Sequence, residues 1–540
     1  MSGALLQLAS LGPQDVFLTS NPEITLFKKA YLRYTNFSIE TVQVTFDGGA
    51  INFGMESTAT LEQSGDLISK VVLVLTLDKK VSRTKWGYVD RLGHAVIENI
   101  KIRIGQSDID MHPGDWINVY HDLYSNRSHE DRYNIMIGNI PELKNFENEH
   151  DTYNLFIPLY FWFCKATNLS YPICSLVNQQ FQIIVKLRNP IDTINYMGLI
   201  EPDIYEQPSI LHGYLLVDYV YLENDERQLF KCNNHEYIIE QVQEMTDVIQ
   251  SNENKINLIF DHPCKYLIWF VNLNKYYERN QYLAWCTDNN WETARELFAK
   301  LVWLATREGI AVVNNNPVIL FNSTYVNIGG VAPMICNGST VLKRLASKVS
   351  AIILFAEGYC DTTIMARAIP DNIILTSNNI TIEDMSHTVE ELLDIYTTVE
   401  QIAFVNFYLV SCINVFNTGN YIDGTDNPIV KSAFLLNGKN RFQERDGKYF
   451  NYLQPYYYFT NSPKDGINTY SFSIDPENVQ PTGTINLGYI NSKDLILKLG
   501  KNNYLYENYF RDYFKSGRIR VFTLSYTLLK IINGQSLLVY

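Results

Sequence analysis

The stretch from Ser107 to Trp116, SDIDMHPGDW, gathers Asp108, Asp110, His112 and Asp115. Oxygen-bearing side chains at alternating positions are the donors a hard cation takes. A calcium loop of the EF-hand type also needs a glycine at its sharp turn and a closing bidentate glutamate, and neither follows here. The preferred reading is a polar turn leading into a helix. Asp115 is its expected N-cap, and Trp116, Val119 and Leu123 share one face. His262-Pro263-Cys264 and the pair Cys164 and Cys174 hold metal-type side chains without a second half at ligand spacing, so they read as a turn and core thiols. No GxSxG, HExxH or GxxxxGK[ST] occurs. Carboxylates are abundant, but no two stand out as a glycosidase pair. The aromatic run FIPLYFWF at 156–163 has the residues of a sugar platform, yet aromatics dominate cores and a core strand is the better reading. The sequence therefore assigns no catalytic, cofactor-binding or metal-binding residue, and no enzyme activity or cofactor is expected.

These residues follow a strand. Ile100, Ile102 and Ile104 alternate with Lys101 and Arg103, which puts three isoleucines on one face and two cations on the other. Gly105 ends the strand in a tight turn. A similar pattern returns at 434–453, FLLNGKNRFQERDGKYFNYL. Gly105 to Gly114 and Gly438 to Gly447 are both nine residues apart. Trp116 and Tyr449 each follow the second glycine by two, and Asn118 and Asn451 by four. Both copies read as strand, glycine turn, polar loop and short helix with an aromatic anchor. The chain therefore reads as a duplicated β-domain with one such unit per copy.

Composition sets the frame. A chain of 540 residues, 46% hydrophobic, buries a large core without covalent staples. Aromatics make up 13%, with 37 Tyr, which favours strands. The net charge of −14 argues against wrapping nucleic acid, so no direct genome binding is expected. Eight Cys without a CxxC read as buried free thiols of a reducing compartment. The N-terminus lacks a basic n-region and no apolar run is long enough for a membrane span, so a soluble, cytosolically made protein is expected.

Residues 1–25 read as an arm. Strands are expected at 41–46, 59–61, 67–77, 155–164, 181–187 and 215–222, with a polar loop at 125–152. The run VVLVLTL at 71–77 is apolar on both faces, as in a strand covered on both sides. A charged linker at 224–234 separates this half, 26–223, from a second, 235–540. Strands resume at 235–243, 256–260 and 266–273. Helical spacing at 290–309 and 388–396 then marks about 275–400 as an insertion. Strands return at 404–415, 470–474 and 522–528. Many strands joined by long connections, without alternating helices, predict an all-β sandwich or jelly-roll topology.

Several segments resemble the double jelly-roll major capsid proteins of nucleocytoplasmic large DNA viruses, the group that includes mimivirus-like, irido-, asfar- and phycodnaviruses. They include GALLQLASLGPQDVFLTSNPEITLFKKAYLRYTNFS, LGHAVIENIKIRIGQSDIDMHPGDW, FIPLYFWFCKATNLSYPICSL, LLVDYVYLENDERQLFKCNNHEYIIEQVQ, FDHPCKYLIWFVN, LLNGKNRFQERDGKYFNYLQPY and YSFSIDPENVQPTGTINL. They lie in family order, and no family segment is placed within 275–400. The resemblance implies two tandem eight-stranded jelly rolls standing upright in a shell, and a homotrimer of nearly hexagonal outline that tiles an icosahedral capsid. It also implies neighbouring trimers, minor capsid proteins and penton proteins as partners, with the inner viral membrane close to the N-terminal arm. The place expected is the virion, after assembly in the host cytoplasm. The insertion is expected to form an outer crown. Two other readings are a minor capsid paralogue of the same fold and, from another class, a carbohydrate-binding or carbohydrate-active β-sandwich protein.

Overall fold

The computed structural model describes residues 2–29, 31–125, 127–197, 202–249, 251–273, 413–419, 426–500 and 517–539. It also gives the backbone of short strands at 282–285, 310–313, 316–321, 324–327, 374–375 and 408–411. The helices expected at 290–309 and 388–396, and most of the 275–400 insertion, lie outside the described residues.

The first roll is built from β1 (Phe37–Thr45), β2 (Glu56–Leu61), β3 (Leu67–Leu77), β4 (Ile97–Ile104), β5 (Ser107–Pro113), β6 (Tyr153–Pro158), β7 (Phe181–Leu187) and β8 (Ile210–Leu222). They form two four-stranded antiparallel sheets, ordered β1-β8-β3-β6 and β2-β7-β4-β5. The second roll uses β9 (His235–Ile249), β10 (Glu253–Asn257), β11 (Pro263–Leu273), β12 (Ile429–Leu436), β13 (Lys439–Asp446), β14 (Asn468–Ser471), β15 (Lys493–Leu499) and β16 (Gly517–Ile532). Its sheets run β9-β16-β11-β14 and β10-β15-β12-β13. Each strand of the second roll takes the place of the strand eight earlier. The chain is a double jelly roll.

Alternation explains most of these strands. On β4, Ile100, Ile102 and Ile104 are buried while Lys101 and Arg103 reach outward. Val71, Leu73, Leu75 and Leu77 of β3 enter the sandwich core. Val74, on the opposite face, is buried as well, in line with the two-sided reading of this run.

Four local expectations are corrected. Residues 107–113 form a strand, β5, rather than a polar loop. The aromatic run leaves its strand at Pro158, and Trp162–Lys165 is a short helix; proline gives the ladder no N–H. Its rings nonetheless pack into the core, with Phe161, Trp162 and Phe163 buried. The 125–152 region is ordered as helices Glu130–Met136 and Pro141–Lys144 and a strand Glu147–His150. The start of the expected linker is a helix, Asn224–Cys232, whose half-exposed Arg227 pairs with the buried Asp66. The arm, by contrast, holds only short helices, Gly3–Ala9 and Val16–Thr19, neither with a buried residue.

Candidate functional site at the seam between the rolls

The repeated glycine unit builds the seam. Gly105 and Gly438 both have positive φ, +62° and +77°, and turn β4 into β5 and β12 into β13. Gly114 and Gly447 lie just past β5 and β13. A Cβ on Gly114 would stand 2.4 Å from the carbonyl oxygen of Ile97, and one on Gly447 would stand 2.0 Å from that of Ile429. Ile97 and Ile429 are the first residues of β4 and β12. In both rolls, then, glycine lets the chain cross against the start of the same strand and enter a helix.

In the first roll that helix is Gly114–Tyr124, and it is a wedge. Trp116, Val119, Tyr120 and Leu123 pack against Tyr266, Ile268 and Phe270 of β11 and Phe522 and Leu524 of β16. The wedge thus covers the outer face of the second roll's β9-β16-β11-β14 sheet. Tyr124 donates to the Tyr266 hydroxyl at 2.9 Å. The backbone N–H of Asn461 donates to the Leu123 carbonyl at 3.1 Å.

Buried charge crosses the same seam. Asp115 does not cap the wedge, whose N-cap position is Pro113 with no side-chain bond. Its carboxylate instead receives Arg188 of the first roll at 3.0 Å and Arg520 of the second. Burial alone would push this carboxyl up, but the two guanidinium groups hold it below the usual carboxylate range. Glu240 of β9 takes Lys165 of the first roll and Lys265 of the second. Here too burial is outweighed by the two cations, and the carboxyl is held down. Asp110 accepts the Val242 N–H at 3.0 Å and faces His112 Nε2 at 2.9 Å. Below the wedge, Ile239, Leu529 and Ile531 of the second roll join the core of the first. The Val177 N–H donates to the Gly534 carbonyl at 2.8 Å.

The acidic stretch is therefore dispersed among protein partners. Asp108 bonds Arg103 at 2.6 Å, Asp110 serves β9, and Asp115 serves two arginines. Among the described residues no group of three or more His, Cys, Asp or Glu is placed to hold a metal. Cys264 is buried against Thr523, and Cys164 and Cys174 are free thiols, as is the exposed Cys232.

A cavity of about 330 Å³ opens beside the Glu240 pair, lined in part by Tyr120, Tyr124, Tyr160, Cys164 and Glu477. Burial pushes the Cys164 thiol up to about 12, which makes it a poor nucleophile at neutral pH. Glu240 is locked between lysines and Glu477 accepts from the Thr460 hydroxyl. Glu240, held down by its two lysines, is not set up as a general acid, which needs a raised pKa.

Sequence reasoning located the wedge and its aromatic anchor through the glycine spacing. It missed Arg188, Lys165, Glu240, Lys265 and Arg520, which lie far apart in the chain and carry no motif.

With this geometry in place, comparison with known proteins is informative. Residues 25–223 match the family described as major capsid protein N-terminus. Residues 226–347 and 362–536 match that described as large eukaryotic DNA virus major capsid protein. The second match runs through most of 275–400, which corrects the view that family likeness lapses there. Capsid protein 1 of Acanthamoeba polyphaga mimivirus is 30% identical, with 100% of both chains covered. The major capsid protein of Phaeocystis pouchetii virus is also 30% identical over 100% of both chains. In fold, PBCV-1 VP54 is similar with a TM-score of 0.62, at 21% identity, covering 96% of this chain and 100% of that one. The Faustovirus major capsid protein follows with a TM-score of 0.58, at 9% identity, covering 99% and 96%. The duplicated rolls, the glycine unit that joins them and these full-length relatives together place the chain in the large eukaryotic DNA virus major capsid protein family.

Proposed function

We propose that this chain is a shell-building subunit that acts by self-assembly into homotrimers of nearly hexagonal outline, with no catalytic activity. The observation that carries this is the seam. Two rolls welded by a buried wedge and buried ion pairs behave as one rigid block, and a rigid block with two similar halves suits a three-copy ring of six rolls. Such rings tile a flat facet through repeated contacts. Family membership supports the same reading. Neighbouring trimers, minor capsid proteins and penton proteins are the proposed partners, and the virion shell, built in the host cytoplasm, is the proposed location.

Residues 26–223 and 235–540 are the proposed assembly units, joined through 224–234. The exposed arm is proposed to face the shell interior, close to the inner membrane. The 275–400 segment is proposed as the outer crown, so antibodies against it should bind intact particles. Light scattering on the purified protein at micromolar concentration tests the central claim. A mass three times that of the chain, with hexagonal outlines in electron micrographs, is the expected result. A monomer would overturn it.

A further inference from the structure

The cavity beside Glu240, about 330 Å³ in volume, plays no part in building a shell. Both rolls supply its wall. Tyr120, Tyr124, Tyr160 and Lys165 come from the first, and Glu240 and Glu477 from the second. The three tyrosines form one continuous aromatic surface. Tyr120 stacks on Tyr124 at 4.2 Å between centroids and 9° between planes, and Tyr160 lies 4.8 Å from Tyr120. Their hydroxyls are spent on the protein: Tyr124 donates to Tyr266 at 2.9 Å and Tyr160 to Tyr133 at 3.2 Å. What the rings offer a guest is therefore π surface rather than hydrogen bonds. One cation already uses it, since Lys165 Nζ stands 5.0 Å from the Tyr120 centroid.

Charge narrows the guest further. Glu240 is shared by Lys165 and Lys265. Glu477 accepts from the Thr460 N–H and hydroxyl, but among the described residues no cation pairs with it. Exposed Asp475, two residues earlier, accepts the N–H groups of Glu477 and Asn478 at 3.2 Å each. Three carboxylates thus meet two lysines, which leaves one negative charge in excess. His121, also on the wall, does not offset it at neutral pH, because burial and then Arg91 lower its pKa. An aromatic wall with a spare carboxylate favours a cation. An ammonium that carries N–H groups would need acceptors on leaving water, as Lys165 needs Glu240. A fully methylated ammonium needs none, only ring faces and a counter-charge.

We propose that this cavity binds a trimethylammonium group, held by the Tyr120, Tyr124 and Tyr160 rings with Glu477 as its counter-ion. The carrier is a small free molecule of the choline type rather than a phospholipid headgroup, because Asp475 and Glu477 repel a phosphate. The guest touches the wedge and the second roll together, so it stabilises the seam in proportion to its occupancy. This site is independent of the trimer proposed above.

Isothermal titration calorimetry of the full-length protein with choline tests it. The expected result is one saturable site per chain. The neutral isostere, in which a tert-butyl group replaces trimethylammonium, should bind at least about tenfold more weakly. Phosphocholine should also bind more weakly than choline. Glu477→Gln and Tyr160→Leu should each weaken choline by about tenfold, while Tyr160→Phe, which keeps the ring, should not. Equal binding of choline and its isostere would reduce the cavity to an apolar pocket and overturn the proposal. So would the absence of choline binding at millimolar concentration, or unchanged affinity in Glu477→Gln. Should the variants fail to fold, the comparison of choline with its isostere on the wild-type protein decides alone.

Discussion

Asp115, in the first roll, shares its carboxylate with Arg520, in the second, and both side chains are almost fully buried. Arg188 approaches the same oxygen from the first roll. A buried charge whose partner is removed is left uncompensated, at a cost of about 3–5 kcal/mol. Asp115→Asn should therefore lower the urea midpoint of unfolding, because two guanidinium groups would remain face to face. Replacing the exposed Asp108, which pairs only at the surface with Arg103, should shift it by less than about 1 kcal/mol. Equal shifts for the two variants would deny the seam its structural weight.

Gly114 and Gly447 should be intolerant to alanine. The added methyl would meet a backbone carbonyl in each case, and backbone cannot swing aside as a side chain can. Forced overpacking of this kind typically costs about 1–3 kcal/mol. Gly48, with open space around it, is the control and should accept alanine with little change. Denaturant unfolding of the three variants makes the comparison.

Acid should loosen the block in two stages. His94 is fully buried, with Nε2 2.6 Å from the Tyr133 hydroxyl, and Arg91, His121, Asn118 and Lys464 surround it. Burial, then the charge of Arg91, holds its pKa well below the ordinary value. His121 is lowered for the same two reasons, against the pull of Glu130 and Asp122. An unfolded histidine takes up a proton near pH 6.5 and the folded ones do not, so the unfolded state binds more protons below that point and stability falls as pH falls. The loss approaches about 1.4 kcal/mol per pH unit for each such histidine. Asp115 and Glu240, whose pKa values are lowered, add stability that is present above about pH 4 and lost on further acidification. Unfolding midpoints between pH 8 and pH 5 should decline below pH 6.5, and His94→Gln should flatten that decline. A midpoint constant over this range would contradict the cluster's role.

Thiol reactivity should follow burial. Cys232 is exposed, whereas Cys264 is fully buried and its thiol is pushed up to about 12. Brief treatment of the native protein with iodoacetamide at neutral pH, followed by peptide mapping, should find Cys232 alkylated and Cys264 intact. Denaturation should expose both.

What the sequence revealed depended on range. The isoleucines of β4 and the two glycine pairs were legible because alternation and tight turns are local rules. The fate of Asp115 was not, since cap and ion-pair roles use the same residue type and Arg520 lies in a different roll. The strand β5 was mistaken for a polar loop for a related reason. Its Asp110 and His112 point inward, into a seam whose other wall is Val242 and Gln241. Polar residues at buried positions look like a loop until the partner is known. The helix Glu130–Met136 was hidden by its own polarity, since Tyr133 is its single buried residue.

The return of the chain from its longest excursion has a consequence for synthesis. Tyr408–Ser411 pairs with Ile194–Met197 of the first half, and the Ile413 N–H donates to the Asn195 side chain at 2.7 Å. Val415 and Phe416 then pack with Val89 and Ala95. On the ribosome the first roll is complete long before these residues emerge. Until then the Ile194–Met197 edge is an open template for any passing strand, including that of a nascent neighbour. A chain stopped after Leu222 should accordingly be prone to clump, and translation speed through the excursion becomes a determinant of yield.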